Sequence, residues 1–339
     1  MCRKVSPTNE QRSTPRRWLP MLVRLAISAG LVAIFVAQVG GEKLMAQLVS
    51  CDPLLFLTAC ALFLFGQVLN ALRWRWLLAT SVSEPPSVAH LMALVMVGMF
   101  FNFFLPSTVG GDVVRAEFVR ERVGGRTNAY LSILVGRILA FAAVLFIGLL
   151  AMATAFAGFG WGDVEIFVAA MLFFLPIGGL WLAYRSEFLK KRWLRVAPPR
   201  LAEISSRVIQ AIDVYDAHRA VLFRVFAVAI VANAVGNVGA VWALAAGLGI
   251  DVPFYYHLIV VPLILIIALI PISFNGIGLR EGAFAYFYGK AAVTTAAAVS
   301  LSLAFTAVLV ALSLLGGLCL LTLRIYWPRR PSNKSEQAI

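Results

Sequence analysis

Apolar runs long enough to cross a bilayer recur along this 339-residue chain, and its charged residues fall almost entirely between them. About 20 apolar residues in a helix span roughly 30 Å of hydrocarbon, and several runs reach that length. The chain is 61% hydrophobic and 13% charged, with a mean hydropathy of +0.88. A soluble domain carries about 25% charged residues, so this composition excludes one. The runs are continuous and rich in Leu, Ala, Val and Phe. They lack the ten-residue alternation of an outer-membrane barrel, so the spanning elements are predicted to be helices. The expected fold is therefore an all-α polytopic membrane protein.

The net charge of +13 raises the question of nucleic acid. Its placement answers it. The basic residues sit in short segments beside apolar runs, the positive-inside pattern, which suits an anionic leaflet surface and gives no reason to expect a nucleic-acid partner. Cys2, Cys51, Cys60 and Cys319 are scattered, without a CxxC pair, and read as packing residues. No A-x-A-like cleavage site follows the first apolar run, which therefore reads as a retained span.

A basic tail, 1–17, precedes a first outward span at 18–40. A second span, 53–72, returns inward and ends on Arg73-Trp74-Arg75-Trp76, where alternating Arg and Trp read as interfacial anchors. The apolar stretch 87–104 breaks at Leu105-Pro106-Ser107-Thr108-Val109-Gly110-Gly111-Asp112. A leg over 110–122 follows, too short and too charged to span. Together, 87–122 reads as a re-entrant hairpin, since irregular backbone at membrane depth survives only under cover of protein or water. Spans at 127–156 and 164–184 flank an outer loop without Lys or Arg. The inner loop 185–224 carries nine Lys or Arg against four acids and includes an amphipathic interfacial segment after Pro198-Pro199. A fifth span, 221–246, leads to a second broken hairpin at 253–290. A sixth, 293–323, ends near a basic tail, 326–339. Of 29 Lys and Arg, 25 fall inside on this topology, which puts both termini in the cytoplasm. Lys43 and Lys290 fall outside, and Arg137 and Arg280 lie within the membrane.

Each half reads span, span, hairpin, span. The expected repeats are 18–156 and 157–325. Three full spans per half is an odd number, so the second copy is expected to be inverted. The breaks match in kind. Pro106, Ser107, Gly110, Gly111 and Arg115 stand beside Pro271, Ser273, Gly276, Gly278 and Arg280. Inverted repeats with broken helices near the midplane are a transporter arrangement.

Arg137 lies eleven residues past Arg126, on the order of 15 Å deep at about 1.5 Å per residue. A buried arginine needs a partner or a wet cavity. Asp112 or Glu281 are its candidate ion-pair partners, and the same acids are candidates for proton coupling. Guanidinium also grips phosphate in a bidentate fashion. The glycine-rich starts at 110–112 and 276–278 present helix N-termini suited to anions, while Asn102 and Asn275 add amides nearby. The predicted headgroup-binding set is Arg115, Arg137, Arg280, Asn102, Ser107, Gly110, Gly111, Ser273, Asn275, Gly276 and Gly278. There is no GxxxxGK[ST] loop, and His90, His218 and His257 have no metal-ligand spacing and read as interfacial. No cofactor and no metal are expected.

Asn102 through Asp112, then Arg115, then Ser132 with Arg137, and later Pro271 through Glu281 together resemble the lysylphosphatidylglycerol synthase transmembrane, flippase-like family. The resemblance covers roughly 18–325. It implies an integral membrane protein related to the flippase half of multiple-peptide-resistance factors, in a bacterial or archaeal cell membrane. The chain resembles free-standing members that lack the aminoacyl-transferase domain. Lysyl-phosphatidylglycerol is then one candidate cargo beside polyprenyl-phosphate glycolipids and hopanoids. Ala140 departs from the polar or acidic residue expected there in some relatives.

The expected function is a lipid flippase or scramblase for an anionic or aminoacylated phospholipid or a polyprenyl-phosphate-linked lipid. Its expected partners are membrane lipids with a phosphate headgroup, with a lipid-modifying enzyme or a second copy of the chain as further candidates. The rival reading is a membrane-embedded transferase or an accessory subunit of lipid glycosylation or aminoacylation. Against it, the chain has no D-x-D motif and no large loop.

Overall fold

The computed structural model describes residues 49–104, 110–155, 218–268 and 276–326, and residues 30, 42, 46, 215, 270 and 273 singly. The expected spans 18–40 and 164–184, the interfacial segment, and Ser107 and Asn275 lie outside these. The described residues form helices and connections, with no strand among them.

α1, Pro53–Leu78, starts where Asp52 accepts the amides of Leu54 and Leu55 at 2.7 and 3.3 Å, with Pro53 preset for the first turn. It does not end at residue 72. The helix runs on through the Arg-Trp pairs because their polar groups find partners inside: Arg73 donates to the Gly136 carbonyl at 3.3 Å and Trp74 Nε1 to the Ser132 hydroxyl at 3.0 Å. Trp74 is only 5% exposed, so it is a core residue and not an interfacial anchor.

α2, Val88–Phe104, and α3, Gly110–Val119, pack against each other. Residue 102 meets 111 and residue 98 meets 115, so the two legs are antiparallel. A 3-10 turn, Arg120–Arg122, leads to α4, Arg126–Ala155. In the second half α5, Arg219–Val231, passes through a π-helical segment, Ala232–Val238, into α6, Gly239–Gly247. α7, Phe254–Ala268, and α8, Leu279–Lys290, form another antiparallel pair, with Tyr256 hydroxyl on the Phe287 carbonyl and Gly276 against Ala268. α9, Thr295–Tyr326, closes the described chain. Four stretches are long and apolar enough to cross a membrane: Pro53–Leu78, Arg126–Gly148, Arg219–Gly247 and Thr295–Leu320.

In lipid the hydrophobic effect does not drive one helix onto another; close approach through small residues does. Three such approaches hold this bundle. A Cβ on Gly66 would lie 2.9 Å from the Gly236 Cα, so α1 and the π-helical segment cross nearly backbone to backbone. A Cβ on Gly111 would meet the Gly98 carbonyl, clamping α3 to α2, and one on Gly316 would meet the Met96 carbonyl, clamping α9 to α2. His257 is fully buried in the second pair, its Nδ1 2.6 Å from the Tyr288 hydroxyl. This overturns its reading as interfacial: the imidazole is placed by a phenol on the facing leg.

Candidate functional site

The only charges that α2 and α3 carry into the bundle lie at the glycine-clamped end of the first pair. Asp112 sits in the first turn of α3, and Arg115 one turn on reaches back to it. Gly98 makes room for this. A Cβ there would lie 2.7 Å from the Arg115 Cδ, so the arginine stem runs across a gap in the surface of α2. From α4, Arg137 brings its Nε onto the other Asp112 oxygen. One carboxylate thus bridges two guanidiniums. Side-chain exposure is 7% for Asp112, 18% for Arg115 and 45% for Arg137, so the acid is sealed while the outer arginine is open. Asn102 was expected to donate; instead its side-chain oxygen accepts the Gly111 amide at 2.8 Å, capping the start of α3.

Behind the arginines stands Trp74, whose ring lies 5.3 Å from the Arg115 guanidinium. Ser132 fixes the indole, accepting from Trp74 Nε1 while donating to the Ala129 carbonyl at 2.8 Å. These groups surround a cavity of about 230 Å³ whose polar lining includes Gln67, Asn70, Arg73, Arg115, Ser132 and Arg137. Among the described residues, three guanidiniums and one bridging carboxylate gather here. Among the described lining residues there is no Asp or Glu. Such a wall is suited to phosphate oxygens.

The family model for the lysylphosphatidylglycerol synthase transmembrane region matches residues 21–317. The chain belongs to that family. It is 27% identical over 253 residues to a UPF0104 membrane protein of Methanothermobacter thermautotrophicus, covering 67% of this chain and 71% of the relative. It is 22% identical over 289 residues to a UPF0104 membrane protein of Archaeoglobus fulgidus, covering 79% of this chain and 86% of that relative. No solved structure matches significantly. The chain is therefore a membrane protein of the lysylphosphatidylglycerol synthase transmembrane-region family.

Within this family member the predicted site residues separate. Asn102, Arg115 and Arg137 line the cavity; Gly111 and Asp112 do not, but bond to these lining side chains, and Gly110 starts α3 beside them. Arg280 and Glu281 do not line it. Arg280 is buried and donates to the Thr306 hydroxyl at 2.5 Å, with Glu281 3.5 Å away. Glu281 accepts the Gly278 amide and the Ser302 hydroxyl, so it works as a helix cap. Gly276 and Gly278, at φ of +75° and +86°, supply the turn that α8 starts from. Ser273 and the Arg280 Nε are buried with no hydrogen-bond partner among the described residues.

Arg73, Trp74, Gln67 and Asn70 were missed as site residues. A signal existed for the amides: Gln67 and Asn70 are three apart in an otherwise apolar run, and the structure joins them by a 3.1 Å hydrogen bond. The remaining charges of the short leg serve its surface. Glu117 gathers Arg120, Arg126 and the Tyr130 hydroxyl outside the cavity.

Proposed function

We propose that this protein moves a lipid with a phosphate-bearing headgroup between leaflets, as a flippase or scramblase. The headgroup occupies the arginine-lined cavity while its chains stay in the bilayer. The observation that carries this reading is the cavity itself: three guanidiniums and three side-chain amides around one space among helices apolar enough to span a membrane. A structural ion pair needs neither the third guanidinium nor the space.

An inverted repeat of six spans and two re-entrant hairpins supports alternating access by rocking of one half against the other. The pairing of helices favours that architecture. α2 packs on α9, and its counterpart α7 packs on α4. Gly66 and Gly236, at equivalent places in the two halves, meet where α1 crosses the π-helical segment, as expected near a pseudo-two-fold axis. The pairs 66 and 236, 110 and 276, and 115 and 280 are offset by 170, 166 and 165 residues. Both termini are cytoplasmic in this reading. A cysteine at Lys290 then labels from outside intact cells and one at Glu84 does not; the reverse pattern would overturn the orientation.

The transport reading is tested by reconstituting the protein with fluorescent phospholipid and polyprenyl-phosphate analogues. Quenching of outer-leaflet label beyond half of the total, above protein-free vesicles, is the expected result. Translocation equal to protein-free vesicles for every lipid class contradicts it, and recovery of a chemically altered headgroup would favour a transferase.

A further inference from the structure

We infer that the Gln67–Asn70 amide pair is a hydroxyl-reading subsite, and that the headgroup carries a diol beside its phosphate, as a glycerol or a sugar does. This rests on the cavity being the headgroup site proposed above, and it names the class of headgroup that site accepts.

Gln67 and Asn70 precede Arg73 and Trp74 on α1, and all four line the cavity. Residues three and four apart share one face of a helix, so the amides continue the wall that the arginine and the indole begin. Asn70 donates to the Gln67 side-chain oxygen at 3.1 Å. Amides among membrane helices often act as glue from one helix to the next. This bond stays within α1, and among the described residues the pair reaches no other helix. Holding the bundle together is therefore not what these side chains supply.

What they leave unused is specific. Each amide has one carbonyl and one NH2 group. A single bond between two amides leaves a free carbonyl on one and a free NH2 on the other, whichever of the two donates. Both side chains are half-buried, so these groups are not sealed off. Asn102 differs, because its oxygen is already taken by the Gly111 amide. A hydroxyl both donates and accepts. Adjacent hydroxyls of a glycerol or a sugar match the pair, one donating to the carbonyl and one accepting from the NH2. An ammonium group only donates and leaves the NH2 unmatched. A phosphate oxygen only accepts and leaves the carbonyl unmatched.

The spacing suits a single headgroup. Asn70 stands about 5 Å along the axis from Arg73, roughly one turn, while Arg115 and Arg137 face the same space from α3 and α4. A phosphate held by these guanidiniums brings the alcohol esterified to it up to the amides.

The test uses the full-length protein in phosphatidylcholine nanodiscs and two pairs of lipids of equal charge. Phosphatidylglycerol is compared with phosphatidylethanol, and farnesyl phosphomannose with ethyl farnesyl phosphate. Glycerophosphoglycerol serves as a competitor without chains. A site built to bond a hydroxyl discriminates against the analogue that lacks it, and for half-buried amides about tenfold is expected. The hydroxylated member of at least one pair should bind tighter by that factor, and the pair that shows it identifies the source of the diol. Asn70→Leu and Gln67→Met should each weaken that lipid to the level of its ethyl ester. Equal binding within both pairs, with Arg137→Gln still weakening all four lipids, overturns the hydroxyl subsite and leaves the phosphate site in place. A preference that survives both amide variants overturns the subsite as well. Indifference of every lipid to Arg137→Gln overturns the phosphate site itself. Glycerophosphoglycerol binding as tightly as phosphatidylglycerol makes the ligand a soluble phosphodiester and overturns the lipid assignment.

Discussion

At the scale of residues, Asp112 is the hinge of the account, because one sealed carboxylate serves two cations of unequal exposure. Removing one member of a buried ion pair costs about 3–5 kcal/mol, chiefly because the other is left charged and unpaired. Asp112→Asn strands two guanidiniums at once and should lower stability by about that much. Arg137→Gln leaves Asp112 with Arg115, and the lost cation is nearly half exposed, so about 1 kcal/mol is expected. Thermal unfolding in detergent should therefore separate the two variants clearly, and equal shifts would contradict the shared-carboxylate geometry. Gly98→Ala tests positioning instead. Its Cβ would press on the Arg115 Cδ, and a side chain can yield where backbone cannot. Stability should fall by only about 1 kcal/mol, while lipid binding falls at least about tenfold. Retained binding would mean that the placement of Arg115 is unimportant. Arg115, Arg137 and Asp112 were legible in the sequence, because charge inside an apolar run stands out. Arg73 and Trp74 were not, because Arg and Trp at the end of a run look like anchors whichever way they face. Gln67 and Asn70 are neutral, and only packing tells which face of a helix such amides occupy.

At the scale of elements, the legs were legible and the continuities were not. The hairpin legs at 110–122 and near 279–290, and the spans at 127–156 and 293–323, agree with the helices found to within a few residues. Glycines at positive φ, Gly124 and Gly125 before α4 and Gly276 and Gly278 before α8, mark two of those boundaries and act locally. α1 overran its expected end because tertiary hydrogen bonds satisfied residues that would otherwise have faced water. The π-helical turn at Ala232–Val238 had no local signature; it lies where Gly236 presses on Gly66, and π-helical turns are frequent at functional places. The first hairpin depends on the Gly98–Gly111 clamp. Gly111→Ala drives a methyl into the Gly98 carbonyl, where the backbone has no easy retreat. A loss of about 3 kcal/mol is expected, with α2 and α3 splayed apart. Unchanged melting of this variant would mean that the two legs are not held as described.

At the scale of the molecule, the bundle combines apolar helices with an arginine-lined cavity that α1 and α4 form together with the first helix pair and not the second. The second hairpin carries similar residues, but there Arg280 and Glu281 are absorbed into hydrogen bonds to Thr306, Ser302 and the Gly278 amide. The sequence suggested one site between two matched hairpins. The structure has an open cavity at the first and a closed polar cluster at the second. Pattern alone cannot distinguish these, since burial of Arg280 depends on the hydroxyls α9 presents to it. The central claim is that Arg137 and its neighbours hold the headgroup during translocation. It is tested most directly by comparing wild type, Arg137→Ala and the surface variant Glu117→Gln in one proteoliposome assay with a fluorescent phosphate-headgroup lipid. The account predicts that Arg137→Ala slows translocation at least about tenfold while Glu117→Gln stays within about twofold of wild type. Wild-type translocation by a folded Arg137→Ala protein would contradict it.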